Sequence, residues 1–215
     1  MKKLIVFIPV LAGLATAPAA LAQKWEVGGG VGGSFFTSET VTNPSGNANA
    51  SLANGLSASF WVDNNTAANR FGGEFRYDYE NTGLTLASNG TNANFGADTH
   101  AVHYDFVMHF GSSESRVRPF ITGGGGVKLY RGTGQEEAYQ PLSNVALLTK
   151  TNQIEPLISV GGGVKVALTP SWALRFEVHD NLTPFPSNVI APAYGSKVGG
   201  WLQDFVAMVG VSAAF

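Results

Sequence analysis

The sequence contains no cysteine, so it can form no disulfide bond, thiolate nucleophile or zinc–thiolate site. It is also poor in charge, because Asp, Glu, Lys and Arg make up 13% of the chain, against about 25% in ordinary soluble domains. After the first residues it has no apolar run approaching the roughly 20 residues of a transmembrane helix. These deficits exclude a helical membrane protein and disfavour a soluble one, whose exterior must be well charged.

The amino terminus has the pattern of an export signal. Two lysines precede an apolar stretch over residues 4–14, and small residues then lead to an Ala-x-Ala site at 20–22. We therefore expect residues 1–22 to be a cleaved secretory signal peptide and residues 23–215 to be the mature domain. A transmembrane anchor is the alternative, but the apolar core is too short to cross a bilayer.

Alternation of apolar and polar residues, the pattern of a strand with two different faces, recurs along the chain. It is clearest in 71–79, 102–110, 172–179 and 201–215, and weaker in 25–36, 52–62, 120–131 and 154–168. Glycine, at 27 of 215 residues, is concentrated on the polar faces of the weaker segments. We expect eight strands, each near the roughly 9–11 residues of a tilted membrane strand.

The links between these segments alternate strictly in length. Short links at about 63–69, 111–117 and 169–171 separate long ones at about 37–51, 80–98, 132–152 and 180–200. In an antiparallel arrangement, all long links then lie at one end and all short ones at the other, as in outer-membrane barrels. The sequence thus predicts an all-β fold, a closed eight-stranded antiparallel up-and-down transmembrane β-barrel, with four long, polar surface loops.

A soluble lipocalin-type barrel shares the alternation and differs only in which face is outside. The membrane alternative is favoured because the charged faces are sparse, carry both signs, and aromatic residues concentrate near strand ends. An eight-stranded lumen is narrow enough for side chains to fill. We predict a lumen charge network of Glu74, Arg76, Asp78, Asp105, Lys128, Lys165, Arg175, Glu177 and Asp204. We predict lipid-facing or interfacial positions at Trp25, Phe75, Tyr77, Phe106, Trp172, Phe176, Trp201, Phe205 and Val209.

Three segments resemble the OmpA-like outer-membrane β-barrel domain family. They are Arg-Pro-Phe-Ile-Thr-Gly-Gly-Gly-Gly at 118–126, Val-Gly-Gly-Gly-Val-Lys-Val at 160–166 and Trp-Ala-Leu-Arg-Phe-Glu-Val at 172–178. The resemblance implies an outer-membrane barrel over the mature chain, and it implies that Phe215 is the aromatic end read by the barrel assembly machinery. The motifs are short and generic, and the chain departs from the family pattern at Ala173 and His179. They specify architecture more than activity.

No cofactor, metal or catalytic site is expected. The four histidines, His100, His103, His109 and His179, raise the alternative of a lipid-modifying enzyme, but none has serine two residues later, as a barrel hydrolase with a Ser–His pair on one strand would. His103 and His109 are about 20 Å apart on an extended strand, too far to share a metal ion. The glycine runs at 123–126 and 161–163 are not followed by the Lys-Ser/Thr of a phosphate-binding loop.

The expected function is therefore that of a non-enzymatic outer-membrane protein with a structural or surface-interaction role. Two alternatives stay open: a small passive porin or conduit for apolar solutes, and a lipid-modifying enzyme. The expected partners are outer-membrane lipid and, during biogenesis, the barrel assembly machinery and periplasmic chaperones. With a formal net charge of −2 the chain lacks the basic footprint of a nucleic-acid-binding protein. We expect a monomer.

Overall fold

The alternating segments form long antiparallel strands in the computed structural model of the chain, which describes residues 25–64, 70–112 and 115–215. No helix occurs in these ranges, and hence none that could cross a membrane. The predicted signal peptide lies outside the described residues. The strands are β1 (Trp25–Phe36), β2 (Ser38–Asn43), β3 (Gly46–Leu52), β4 (Gly55–Asn64), β5 (Phe71–Ser88), β6 (Thr91–His109), β7 (Val117–Gly132), β8 (Ala146–Leu148), β9 (Asn152–Ala167), β10 (Trp172–Pro184), β11 (Ile190–Pro192) and β12 (Trp201–Ala214).

Eight of these strands close into a ring in the order β1-β4-β5-β6-β7-β9-β10-β12. Each strand pairs antiparallel with the next in this order, and β12 returns to pair with β1 from Glu26↔Ala214 to Phe36↔Asp204. Closure gives every strand of the ring two neighbours, so along the paired segments the backbone groups are satisfied without water, as a hydrocarbon environment requires. The predicted closed eight-stranded antiparallel barrel is confirmed.

Two of the four links predicted as long loops are instead strands, so that part of the prediction was wrong. The ladder between β1 and β4 is continued in the same register by β2 and β3, which form a hairpin between residues 38 and 52. β5 and β6 also run on far beyond the predicted strand ends and meet at Asn89 and Gly90, both with positive φ. Asn-Gly in this conformation is the preferred tight turn of a hairpin.

The extended strands and the two remaining links build a cap over one end of the barrel. We use this name for residues 37–54, 82–97, 133–151 and 185–200. β3 pairs with β5 in the cap, and β8 pairs with β11 as a separate two-stranded sheet that joins the two longest links. The opposite end, which we call the turn end, has only short connections.

The hydrogen-bonded ring is interrupted at two places, both where the barrel passes into the cap. Pairing of β1 with β4 stops at Ser34↔Gly55, and the β2–β3 ladder resumes only at Ser38↔Ser51. Pairing of β9 with β10 stops at Ile158↔Leu182, although β9 begins six residues earlier in the chain, at Asn152. Unpaired backbone is tolerated where it leaves the hydrocarbon region or is covered by protein.

Candidate functional site

The lumen contains the charged side chains that the alternation pattern placed on one face. None of them is more than 7% exposed, and each forms an ion pair except Asp105, whose partners are His103 and His179. A buried charge without a partner would cost several kcal/mol, so the pairing is what makes this interior possible. The residues are Glu74, Arg76, Asp78, Asp105, Lys128, Lys165, Arg175, Glu177 and Asp204.

A closed ring of two arginines and two glutamates forms the centre of this network. Arg175 binds Glu74 at 2.5 Å and Glu177 at 2.6 Å. Arg76 binds the same two carboxylates, at 2.7 Å and 2.6 Å. The four residues come from two strands, β5 and β10, on opposite sides of the barrel. The ring therefore braces the barrel across its diameter and fills the lumen at this level.

Trp61 of β4, which the sequence analysis did not single out, lies against this ring. The guanidinium carbons of Arg175 and Arg76 lie 4.8 and 5.1 Å from its ring centroid, within the range of cation–π attraction. Its indole occupies a notch in β1 and β12, because a Cβ at Gly28 or Gly210 would come within 2.4 Å of the indole carbons. The glycines of the polar strand faces thus make room for a large side chain.

Lys165 extends the network towards the turn end of the barrel. Its ammonium group lies 2.8 Å from a carboxylate oxygen of Asp63 and 3.0 Å from one of Glu26. Asp63, which also contacts Arg175 at 3.3 Å, is fully buried. The sequence analysis assigned Asp63 to a short link, whereas β4 continues to Asn64 and directs this carboxylate inwards.

Three of the four histidines, His103, His109 and His179, face the lumen. His103 lies between Asp78 and Asp105, at 2.9 and 3.0 Å. His179 approaches Ser159, whose hydroxyl lies 3.5 Å from Nδ1. A serine, a histidine and an acid therefore meet, but the side chains of His103, His179 and Asp105 are at most 2% exposed. In this packing the three side chains are therefore closed off from solvent.

The cap end of the lumen has a second, smaller ion cluster. Lys128 binds Asp204 at 2.5 Å and Glu80 at 2.8 Å, and the rings of Phe36 and Tyr130 lie within 5.1 and 5.6 Å of its ammonium group. Glu80 was missed in the sequence because it follows the last residue of the predicted strand. Here the polar filling of the barrel meets the apolar interior of the cap.

The cap contains an apolar core that covers the lumen. Residues from all four cap segments contribute, including Phe185, Val189 and Ile190 of the link expected at about 180–200. The buried members are Val41, Ala48, Ala50, Leu52, Leu84, Leu86, Ala93, Phe95, Ala97, Tyr130, Val145, Ala146, Leu148, Phe185, Val189, Ile190 and Leu202. The links are therefore not four independent polar loops but one packed unit that closes this end of the barrel.

The outer wall of the barrel is apolar. The side chains predicted to be lipid-facing or interfacial are all exposed, between 36% and 72%, and alternate with the buried network along each strand. They are Trp25, Phe75, Tyr77, Phe106, Trp172, Phe176, Trp201, Phe205 and Val209, and the terminal Phe215 is exposed as well. Such a surface in water would be a large apolar patch of the kind that marks contact with a membrane or partner.

No group of three or more His, Asp or Glu side chains within the described ranges could hold a metal ion.

The arrangement of charges inside, aromatics outside and a closed strand ring defines a class, the small β-barrels of bacterial outer membranes. Solved structures with this fold include Neisserial surface protein A, NspA, at 14% identity and a TM-score of 0.54, covering 89% of this chain and 97% of that one. They also include the outer membrane protein AlkL in lipid bilayers, at 15% identity and a TM-score of 0.50, with 93% and 94% covered.

At these identities the likeness concerns the fold alone. No protein-family profile and no curated protein sequence matches the chain.

Proposed function

We propose that this protein is a non-conducting, non-enzymatic barrel of the bacterial outer membrane with a structural or surface-interaction role. The observation that carries the proposal is the double closure of the barrel. The Arg76–Glu74–Arg175–Glu177 ring fills the lumen, and the apolar core of the cap lies over it. A water-filled pore needs a continuous polar path, and the packed cap core interrupts any such path at one end.

The outer sheet of the cap is the surface that supports an interaction role. The outward side chains of β2 and β3 are hydroxyl or amide groups, at Ser38, Thr40, Thr42, Asn47, Asn49 and Ser51. Their neighbours at 41, 48 and 50 are buried in the apolar core, so this face is held rigid from behind. Binding surfaces are commonly loops or edges positioned by a rigid scaffold of this kind.

Two measurements test the proposal. Refolded protein should migrate differently on a gel before and after boiling, as closed barrels resist cold detergent, and it should give no single-channel conductance in a planar bilayer. The variant Arg175→Ala with Arg76→Ala removes both cations of the central ring, and it should also give no conductance if the cap core closes its end of the barrel on its own. Steady conductance by the unmodified protein would overturn the non-conducting part of the proposal.

A conduit for apolar solutes is the second candidate, and one observation favours it. Pro156 of β9 and Pro184 of β10 each lie two residues beyond the last pair of their ladder, so neither can donate a backbone hydrogen bond across the gap. The wall is closed there by the cap, where Asn188 N donates to Gln153 Oε1 at 2.5 Å. Behind it lies the apolar core.

The absence of cysteine gives a clean test of this candidate. The double variant Gln153→Cys with Asn188→Cys would link the cap to β9 by a disulfide bond under oxidising conditions. If the gap is a route, oxidation should block uptake of a long-chain hydrocarbon into cells or proteoliposomes, and reduction should restore it. The two single variants are the controls. Equal uptake in both redox states, or no uptake at all, would count against the conduit.

The remaining assignments concern identity and biogenesis. We infer that the chain is an OmpA-like barrel that is exported by a signal peptide, which is cleaved after residue 22. The mature chain is inserted in the outer membrane as a monomer, and the assembly machinery and its chaperones recognise it through Phe215. The terminal phenylalanine is exposed at the turn end, where it pairs with Trp25 through the backbone. Phe215→Ser should slow membrane insertion in cells while leaving the folded barrel as heat-resistant as the original.

A further inference from the structure

The outer sheet of the cap has a recess with a volume of about 310 Å³. It lies over one row of paired residues from four neighbouring strands: Thr40 of β2, Asn49 of β3, Ala87 of β5 and Asn92 of β6. The side chain of Ala87 ends at Cβ, so the sheet is lowest at this residue. Because adjacent strands lie about 4.8 Å apart, Asn49 and Asn92 stand roughly 10 Å apart on either side of Ala87.

The lining of the recess is polar but uncharged. Six of its nine residues have an amide or hydroxyl side chain, and none of the nine is charged or aromatic. Outside the central row they are Asn47, Ala48, Ser88, Asn89 and Gly90. An amide both donates and accepts hydrogen bonds, and so does a hydroxyl group. The recess therefore offers hydrogen bonds of both kinds, but it has no cation for an acidic ligand and no aromatic surface for an apolar one.

Hydrogen bonds within the cap hold these groups in place. Thr40 Oγ1 donates to Asn49 Oδ1 at 3.3 Å, which leaves the exposed Nδ2 of Asn49 as a donor for a ligand. Ser88 Oγ donates to the carbonyl oxygen of Asn47 at 2.6 Å and so connects the two hairpins that form the recess. Behind the recess, Ala48 and Leu86 are buried in the apolar core. A ligand therefore has little to order when it binds, which favours affinity.

The same features argue against a protein as the ligand. The centre of a protein interface is usually an aromatic or apolar anchor in a fully desolvated pocket. The centre of this recess is the methyl group of Ala87, with the amides of Asn49 and Asn92 on either side. The spacing of these amides leaves room for one sugar ring that makes a hydrogen bond of about 2.8 Å on each side.

We propose that this recess binds one sugar unit of an uncharged glycan. Asn49 Nδ2 donates to one hydroxyl group of the sugar, the Asn92 amide donates to or accepts from another, and the ring lies over the methyl group of Ala87. The site selects against sulfated and carboxylated glycans, because it would desolvate their anionic groups without a cation to pair with them. This inference rests on the proposed surface-interaction role, for which it names the class of partner.

A glycan array tests the ligand class. The unmodified protein is inserted into dye-labelled vesicles, which are applied to a printed array of neutral oligosaccharides and of sulfated forms of the same oligosaccharides. Several copies of the protein on each vesicle bind multivalently, so a weak site is detected. Vesicles with protein should be retained on neutral glycans, protein-free vesicles should not, and sulfation of a bound glycan should lower the retention.

Matched variants locate the site. The affinity for the retained glycan is measured by titrating it into refolded protein in detergent. Asn92→Ala should weaken binding about fivefold, the worth of one hydrogen bond exchanged with water. Ala87→Leu fills the recess and should abolish binding. Asn94→Ala is the control, because Asn94 is an exposed amide of the same strand that does not line the recess, and it should leave the affinity unchanged.

Several outcomes would overturn the proposal. They are retention on sulfated glycans alone, retention on no glycan, equal losses in Asn92→Ala and Asn94→Ala, and clustering of the vesicles with one another, which would assign the face to a second copy of the chain. Heat-modifiable migration shows that each variant is a folded barrel. Conductance is measured on the same vesicles. A closed barrel that binds no glycan overturns the glycan site alone, whereas steady conductance overturns the non-conducting barrel of the proposed function.

Discussion

The guanidinium carbon of Arg175 lies 4.8 Å from the ring centroid of Trp61, and both side chains are fully buried in the middle of the barrel. Arg175 also binds Glu74 and Glu177, so one arginine joins the aromatic filling of the lumen to its ion pairs. An indole face attracts a cation most strongly where water is absent. The packing of the lumen is therefore stabilised by ion pairs and by a cation–π contact, and the two share the side chain of Arg175.

Replacement of Trp61 should show how much of the stability depends on this packing. Trp61→Ala leaves a large void that the surrounding strands cannot fill, and we expect a loss of about 3–5 kcal/mol in the free energy of unfolding. Trp61→Phe should lose less. The measurement is urea unfolding in vesicles, in which the folded fraction is the fraction of heat-modifiable protein on a gel. Trp172→Ala, at a half-exposed interfacial position, is the control. Equal losses at both positions would contradict a packed lumen.

Removal of one cation from the central ring should cost more than removal of a complete pair. Arg175→Met leaves Glu74 and Glu177 with only Arg76 between them, and we expect a loss of about 3–5 kcal/mol. Adding Glu177→Gln removes one of the unpaired carboxylates, so the double variant should be more stable than Arg175→Met alone. A double-mutant cycle by urea unfolding measures this coupling. Strictly additive losses would mean that the two side chains do not interact.

Much of the lumen could be predicted from alternation alone. In the 172–179 segment Arg175 and Glu177 fall opposite Trp172 and Phe176, and period-2 geometry then fixes which side they occupy. Trp61 could not be assigned in this way, because an inward tryptophan breaks the rule that large apolar side chains face the lipid. Its place depends on Gly28 and Gly210, which lie on the strands β1 and β12 and come next to the indole only in the closed barrel.

The cap was predicted poorly for a different reason. Its strands carry Thr, Asn and Ser on one face and small apolar residues such as Ala48 and Ala50 on the other, a contrast too weak to read as alternation. The Asn89-Gly90 dipeptide was a usable hairpin signal within the link expected at 80–98. The apolar core itself joins residues far apart in the sequence, and local patterns do not report such contacts.

The hairpin turn at Gly90 gives a test of the cap that leaves the barrel intact. Gly90 has a φ of +82° and Asn89 one of +48°, and a β-branched side chain fits poorly in this region. We expect Gly90→Val to lower the stability of the hairpin by about 1–2 kcal/mol, because a residue with a Cβ is unfavourable in left-handed backbone. Limited proteolysis should then cut near residue 90 faster than in the original. Ser88→Val, beside the turn, is the control. Unchanged cleavage would contradict an ordered hairpin.

The outward face of β12 gives the most direct test of which side of the barrel meets lipid. Val209 is 48% exposed and lies between Trp201 and Phe215, which are directed to the same side at the two ends of the strand. Val209→Arg places a guanidinium near the middle of the hydrocarbon region, and we expect a loss of about 2–4 kcal/mol. Thr40→Arg, on the exposed sheet of the cap, should change the stability little, because its side chain stays in water. Both are measured by urea unfolding in vesicles of the same lipid. A near-neutral Val209→Arg would mean that this face does not contact the bilayer, and it would favour a soluble barrel of the lipocalin type.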